Sequence, residues 1–169
     1  ALTAAPVLID SSAAIDGRLL ALARAGFVPG DIAVPRFVLD ELQGLSDSSD
    51  PTRRRRAHRG LEVLESLRVD GPGLLVLPDE VPERDEVDAK LVALARRLGA
   101  SIVTADRGLA GVGAAEGVRC LDVARLAEGL RPGLVPGDVV QLRMTREGSD
   151  AGQGVGFLDD GTMVVVADG

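Results

Sequence analysis

The sequence predicts a three-layer α/β/α domain with a central parallel sheet, followed by a short partial β module. Three observations predict it. Short apolar, β-branched runs alternate with longer runs of helical spacing through the first 130 residues, the pattern of parallel strands joined by covering helices. Two of the strand-like runs end in an aspartate, at the edge where open parallel sheets bind ligands. From Arg131 onward the composition turns to Gly and Val, and helical periodicity stops. The expected division is therefore 1–130 and 131–169.

The elements follow in order. Val7 to Ile9 reads as the first strand and ends at Asp10. Residues 13–25 (AAIDGRLLALARA) have helical spacing and close at Gly26. Ile32 to Val34 forms a second strand, and Pro35, which has no N–H to lose, suits the first turn of a helix through FVLDELQGL. SDSSDP at 46–51 is a loop. Residues 53–68 are helical again, with Leu61, Leu64 and Leu67 as the apolar stripe. GPG at 71–73 turns the chain into the strand Leu74 to Leu77. After an acidic loop, 85–98 (DEVDAKLVALARRL) is the clearest helix, closed by Gly99, and Ser101 to Thr104 is a strand running into Asp106. A short helix at 107–115, the strand-like VRCLDV and a helix at 123–129 complete the pattern. Beyond Arg131, short strands are joined by tight turns, DDG at 159–161 giving the strongest hairpin signal. About three strands are too few for a closed barrel. The tail is expected to be a truncated β-barrel module, or a sheet that packs on the first domain or on another chain.

Composition narrows the chemistry. Of 169 residues, 46% are hydrophobic and 27% charged, which excludes disorder across the chain. A net charge of −7 argues against a protein that coats nucleic acid by bulk positive charge. Three phenylalanines, with no Tyr or Trp, argue against an aromatic platform for stacked bases. The single cysteine and single histidine leave no internal disulfide, thiolate zinc site or multi-histidine site, and nothing near His58 suggests a triad. Carboxylates and a hard metal remain as the tools of an enzyme. No apolar run reaches the roughly 18 to 20 residues of a membrane span, and ALTAAPVLID lacks the pattern of a signal peptide, so a cytoplasmic location is expected.

Four acids stand out by position. Asp10 and Asp106 follow the first strand and the IVT strand. Glu41 lies in the helix after the second strand. Asp88 opens the helix before the Asp106 strand, and Asp85, three residues earlier, is expected on the same helix face. Each has an ordinary alternative as a cap or turn residue. Gathered together, four carboxylates repel, and oxygen-seeking Mg²⁺ or Mn²⁺ resolves the conflict. Such a site suits in-line displacement at phosphorus.

VLIDSSAAIDGR, VPRFVLDELQ and DEVDAKLVALARRLGASIVTADRGL together resemble the successive acidic motifs of PIN-domain ribonucleases, over about residues 5–128. The resemblance implies a PIN-like fold and a metal-dependent endoribonuclease that hydrolyses RNA phosphodiester bonds by a metal-activated water. It implies Asp10, Glu41, Asp88 and Asp106 as catalytic residues and ligands of Mg²⁺ or Mn²⁺, with Ser11 and Thr104 in support and Asp85 as an outside candidate. IDGR, DELQ, DSSD and HRGLEVL look like the bacterial PIN–TRAM branch, and PGDVVQL with GQGVGFLDDGTMVVV is similar to the first half of a TRAM domain, a small RNA-binding β-barrel. The branch implies a tether to the cytoplasmic membrane face through an N-terminal segment outside this chain; single-stranded RNA is the expected partner, and a homodimer is expected because dimerisation is common in PIN proteins.

Arg53, Arg54, Arg55 and Arg56, with Arg59 beyond them, form the one dense basic run and are candidate phosphate contacts beside the acids. A solvated helix start is the ordinary alternative. Arg18 is as readily an ion-pair partner as a phosphate ligand. The rival function is a non-catalytic RNA-binding or regulatory module that keeps the fold. A phosphoacceptor receiver ranks below it, because the one lysine, Lys90, sits in a helix rather than at a strand end. The residues before Arg131 carry 20 acids and 16 bases, so two bound divalent cations would bring that part close to neutral.

Overall fold

A computed structural model of the chain describes residues 5–131 and 133–167. Of the stretch read for a leader, residues 1–4 lie outside the described residues. The chain forms two compact units, Ala1–Leu126 and Ala127–Gly169.

The first unit carries a five-stranded sheet of order β3-β2-β1-β4-β5, parallel throughout. Its strands are β1 (Val7–Ile9), β2 (Ile32–Pro35), β3 (Leu75–Leu77), β4 (Ser101–Thr104) and β5 (Cys120–Asp122). The helices are α1 (Ser11–Asp16), α2 (Arg18–Arg24), α3 (Arg36–Ser46), α4 (Pro51–Val69), α5 (Val87–Leu98), α6 (Arg107–Ala115) and α7 (Val123–Gly129). β1, β2 and nearly all of β4 are buried, as strands covered on both faces must be. Leu8, Val34, Leu42, Leu94 and Ile102 are among the side chains of the core that are fully removed from solvent.

Three expectations change in detail. The single helix at 13–25 is two, because Gly17 takes φ +83° and breaks the hydrogen-bond ladder after Asp16. That bend also brings the Arg59 guanidinium against Gly17, where a Cβ would meet Nη2 at 2.7 Å. Pro35 ends β2 and stands at the N-cap of α3 rather than inside its first turn. The helix expected from Asp85 begins at Val87, so Asp85 is an exposed loop residue and does not share a helix face with Asp88. α4 starts at Pro51 because the Asp50 side chain accepts the Thr52 and Arg53 N–H groups.

The second unit holds β6 (Arg143–Glu147), β7 (Gln153–Phe157) and β8 (Met163–Ala167) in an antiparallel meander. The turn at DDG is a hairpin: Leu158 N–H donates to Thr162 O at 2.9 Å, and Gly161 takes φ +82°. Among the described residues no helix is long and apolar enough to cross a membrane.

Candidate active site

In the sheet order, β1 and β4 are neighbours, and the chain proceeds outward from them in opposite directions. This reversal opens a crevice at the carboxyl edge of the sheet. Asp10 directly follows β1, and Asp106 lies two residues beyond the end of β4.

Asp10 is 3% exposed, so its carboxylate needs hydrogen-bond partners within the protein. The Thr104 hydroxyl, itself buried, donates to Asp10 Oδ2 at 2.8 Å, and the Ser12 hydroxyl donates to the same oxygen. The two hydroxyl oxygens lie 3.0 Å apart. Ser12 Oγ accepts the Ala105 N–H at 2.9 Å, and Thr104 Oγ1 accepts the Asp106 N–H at 2.9 Å. The end of β1 and the turn after β4 are thus joined through two hydroxyls. Asp10 stands at the N-cap of α1, yet its side chain makes no capping bond. Asp106 does the reverse: its Oδ1 caps α6, accepting from Gly108 N–H at 2.6 Å and Leu109 N–H at 3.2 Å.

Glu41 is half-buried on α3, and its Oε2 is buried without a hydrogen-bond partner among the described residues. Burial pushes its pKa up, a hydrogen bond from the Ser11 hydroxyl pulls the other way, and the charges of Asp10 and Asp88 push it further up. The Asp88 pKa is also raised, first by partial loss of hydration although much of the residue faces solvent, then by Asp10, Asp106 and Glu86. Asp10, Glu41, Asp88 and Asp106 therefore share one electrostatic neighbourhood, although they come from four separate segments. Glu86, not Asp85, is the loop acid whose charge reaches Asp88. Among the described residues, no group of three or more His, Cys, Asp or Glu stands in a ready-made metal-holding arrangement.

Both shifts are upward, so the fold without metal holds these protons more tightly than the unfolded chain. Their contribution to stability is complete below the ordinary values of 4.5 for Glu41 and 3.8 for Asp88, and it is lost as pH rises through the raised ones. Glu41→Gln is expected to raise the melting temperature of the metal-free protein at neutral pH and to flatten its decline with rising pH. Thermal melts across the acid-to-neutral range check this. A uniform drop at every pH would contradict it.

Ser11 touches Glu41 rather than Asp10, and the hydroxyl that holds Asp10 is Ser12. Sequence reasoning singled out the first serine and missed the second. A hydroxyl two residues after a strand-end aspartate is a common local hydrogen-bond pattern, and that was the readable signal.

The arginine run divides around α4. Arg53 lies 3.7 Å from Asp50, and Arg54 donates to Ser48 O at 2.9 Å. Arg54 and Arg55 line a shallow pocket of about 300 Å³ with His58, Arg59 and Glu62. Arg56 and Arg59 instead line an open cleft of about 620 Å³ with Arg107, Ser12, Asp16 and Asp106. Only this second pair adjoins the acids. Arg59 is steadied by a 3.1 Å hydrogen bond to Asp16 O. Arg18 is taken up by a two-pronged ion pair with Asp16, at 2.6 and 2.7 Å, which holds the Asp16 carboxyl below its usual range.

The donor set is all hard oxygen, and it includes one buried oxygen with no hydrogen-bond partner among the described residues. Those two facts fit a hard divalent cation. The fold and this crevice together define an α/β protein with a carboxylate site at the switch point of a parallel sheet. Residues 7–115 match the PIN domain, and the chain belongs to that family. PIN domains are generally nucleases and generally use divalent metal ions.

An uncharacterized PIN and TRAM-domain containing protein of Thermus thermophilus is 45% identical over 162 residues, covering 96% of this chain and 48% of that protein. Uncharacterized proteins of the same description from Synechocystis and Bacillus subtilis are 42% and 38% identical, covering 97% and 96% of this chain and 46% and 44% of theirs. The chain thus spans about half the length of these curated relatives. A domain of a functionally unknown protein from Methanocaldococcus jannaschii shares the fold, with a TM-score of 0.58 at 20% identity over 82% of this chain and 99% of that one.

Proposed function

We infer that the first unit is a metal-dependent endoribonuclease that hydrolyses phosphodiester bonds of single-stranded RNA, with Asp10, Glu41, Asp88 and Asp106 holding Mg²⁺ or Mn²⁺. The observation that carries this reading is the mutual influence of the four carboxylates at the switch point, with the Glu41 Oε2 buried and without a partner among the described residues. When bound, the cation supplies activation of water and neutralisation of charge developing at phosphorus.

The protein's own groups do the positioning. Thr104 and Ser12 fix Asp10 through Oδ2, so its orientation is set before a ligand arrives. Ser11 restrains Glu41. Asp106 is oriented by the α6 cap it makes through Oδ1. Arg56 and Arg59 present guanidinium groups to the same cleft and suit the phosphates of a passing strand. Arg53, Arg54 and Arg55 lie nearer the start of α4 and would meet RNA outside the crevice.

The test is Mn²⁺ titration calorimetry together with cleavage of a single-stranded RNA by the whole chain. Saturable Mn²⁺ binding, and cleavage that a chelator stops, are expected. One observation favours a second reading, a non-catalytic RNA-binding module: among the described residues, the carboxylates are not in a ready-made metal-holding arrangement. RNA binding retained with neither Mn²⁺ binding nor cleavage would replace the first reading by the second.

A further inference from the structure

The first unit has a second hollow at the carboxyl edge of the sheet, between the start of α3, the loop after β3 and the first turn of α5. It measures about 260 Å³, and its lining includes Phe37, Pro78 and Pro82 together with Arg36, Asp40 and Lys90. Drug-sized ligands occupy pockets of roughly 300–1,000 Å³, so this one is sized for a smaller group. Its walls combine an aromatic ring, two proline rings and both signs of charge.

The hollow adjoins the acids. Phe37 and Glu41 are four residues apart on α3 and so lie on the same face, with Cβ atoms about 5–6 Å apart. Lys90 stands in the same first turn of α5 as Asp88.

The loop that closes the hollow is held in place. Val81 is buried in the core at 3% exposure. Arg97 of α5 reaches back to Asp79 Oδ1 at 3.2 Å and to Glu80 O at 3.3 Å. Two prolines restrict the backbone between β3 and α5. Of the charged groups that line the hollow, Asp79 is engaged by Arg97, whereas Arg36, Asp40 and Lys90 have no ion-pair partner among the described residues.

We propose that this hollow is a nucleobase subsite of the RNA-binding edge, taking a keto base, uracil or guanine, from the nucleotide beside the scissile phosphate. The proposal rests on the ribonuclease reading for the identity of the strand, but its chemistry is local. A planar base has faces that suit Phe37 and the proline rings. A keto base also has an edge with a carbonyl acceptor next to a ring N–H donor, which matches the Lys90 ammonium and the Asp40 carboxylate. Cytosine and adenine carry an amino group where the keto bases carry that carbonyl, and would set it against Lys90. Scarcity of aromatic residues still rules out an extended stacking platform. One ring at the right place is enough for one base.

The experiment uses the 169-residue chain and short single-stranded oligoribonucleotides in which one base at a time is deleted, leaving the ribose. Binding is followed by fluorescence anisotropy with Ca²⁺, and cleavage of the same set is followed with Mn²⁺. Deleting the base at one position is expected to weaken binding to the unaltered protein about 5- to 140-fold, the range that the strength of a single base–aromatic stack gives. Replacing that base with cytosine or adenine should weaken it by less. Lys90→Met is expected to erase the keto preference, and Phe37→Leu to erase the dependence on the base itself, while both variants bind the base-deleted strand as the unaltered protein does.

Equal affinity for intact and base-deleted strands overturns the subsite. So does persistence of the dependence in both variants, and lack of any difference between keto and amino bases overturns the roles of Lys90 and Asp40. The two readings fail separately. Base-dependent binding without Mn²⁺ cleavage sinks the nuclease and upholds the subsite, whereas cleavage indifferent to every base does the opposite.

Discussion

Asp10→Asn is expected to abolish Mn²⁺-dependent cleavage of single-stranded RNA while leaving the fold intact. The asparagine has the shape of aspartate, but one carboxylate oxygen becomes an NH₂ group that repels a cation. The remaining oxygen carries no net charge. Asp10 is the most enclosed of the four acids at 3% exposure, and its Oδ2 already receives two hydroxyl donors. Loss of a residue that merely supports a metal ligand costs roughly 10–100-fold. Loss of the ligand charge itself is expected to exceed that and to lower Mn²⁺ affinity in parallel. The asparagine oxygen can still accept from Ser12 and Thr104, so the melting temperature without metal should hold. The stabilisation given by Mn²⁺, about 2.7 kcal/mol at a hundredfold excess over Kd, should vanish. Unchanged cleavage would end the assignment of Asp10. Lost cleavage with a collapsed fold would move Asp10 from the chemistry to the core.

Leu8→Ala is expected to have the largest effect on stability. Leu8 is fully buried in β1, the central strand, and pairs with Ala33 of β2 on one side and Ile102 of β4 on the other. Truncation of a buried leucine costs about 2–5 kcal/mol, and a domain of this size has only about 5–15 kcal/mol in hand. The expected fall in melting temperature is roughly 4–20 °C, at about 2–4 °C per kcal/mol. Val165→Thr on β8 is the control, because Val165 is 51% exposed and its replacement should stay within about 0.5 kcal/mol. Urea denaturation of the whole chain, followed by far-ultraviolet circular dichroism, checks both. A Leu8→Ala loss no larger than that of the control would contradict the packing described for β1.

Periodicity reported the architecture well because the central strands β1, β2 and β4 are short, apolar and almost wholly buried. β4 and the helices at 107–115 and 123–129 have the bounds that periodicity indicates. Errors fall where a single residue interrupts a pattern. Gly17 sits inside a run with good helical spacing, and only its backbone angle divides α1 from α2. Asp85 looks helical because it stands three positions before Asp88, yet α5 starts after Glu86. The same limit applies to the site. Ser11 and Ser12 are indistinguishable by type, and which hydroxyl reaches Asp10 depends on how α1 leaves β1.

The sequence by itself determined the fold class, the excess of carboxylate over every other reactive group, and the presence of Asp10 and Asp106 at one edge. It could do so because parallel strands place all their carboxyl ends together, whatever their order. Only the tertiary structure decided that β1 and β4 are neighbours, that Glu41 and Asp88 feel the charges from those strand ends, and that Arg56 and Arg59 adjoin the acids while Arg53 and Arg54 are tied up at the start of α4. It also decided the hollow at Phe37. Those facts depend on strand order and helix rotation, which arise from packing between segments as far apart in sequence as residues 10 and 104.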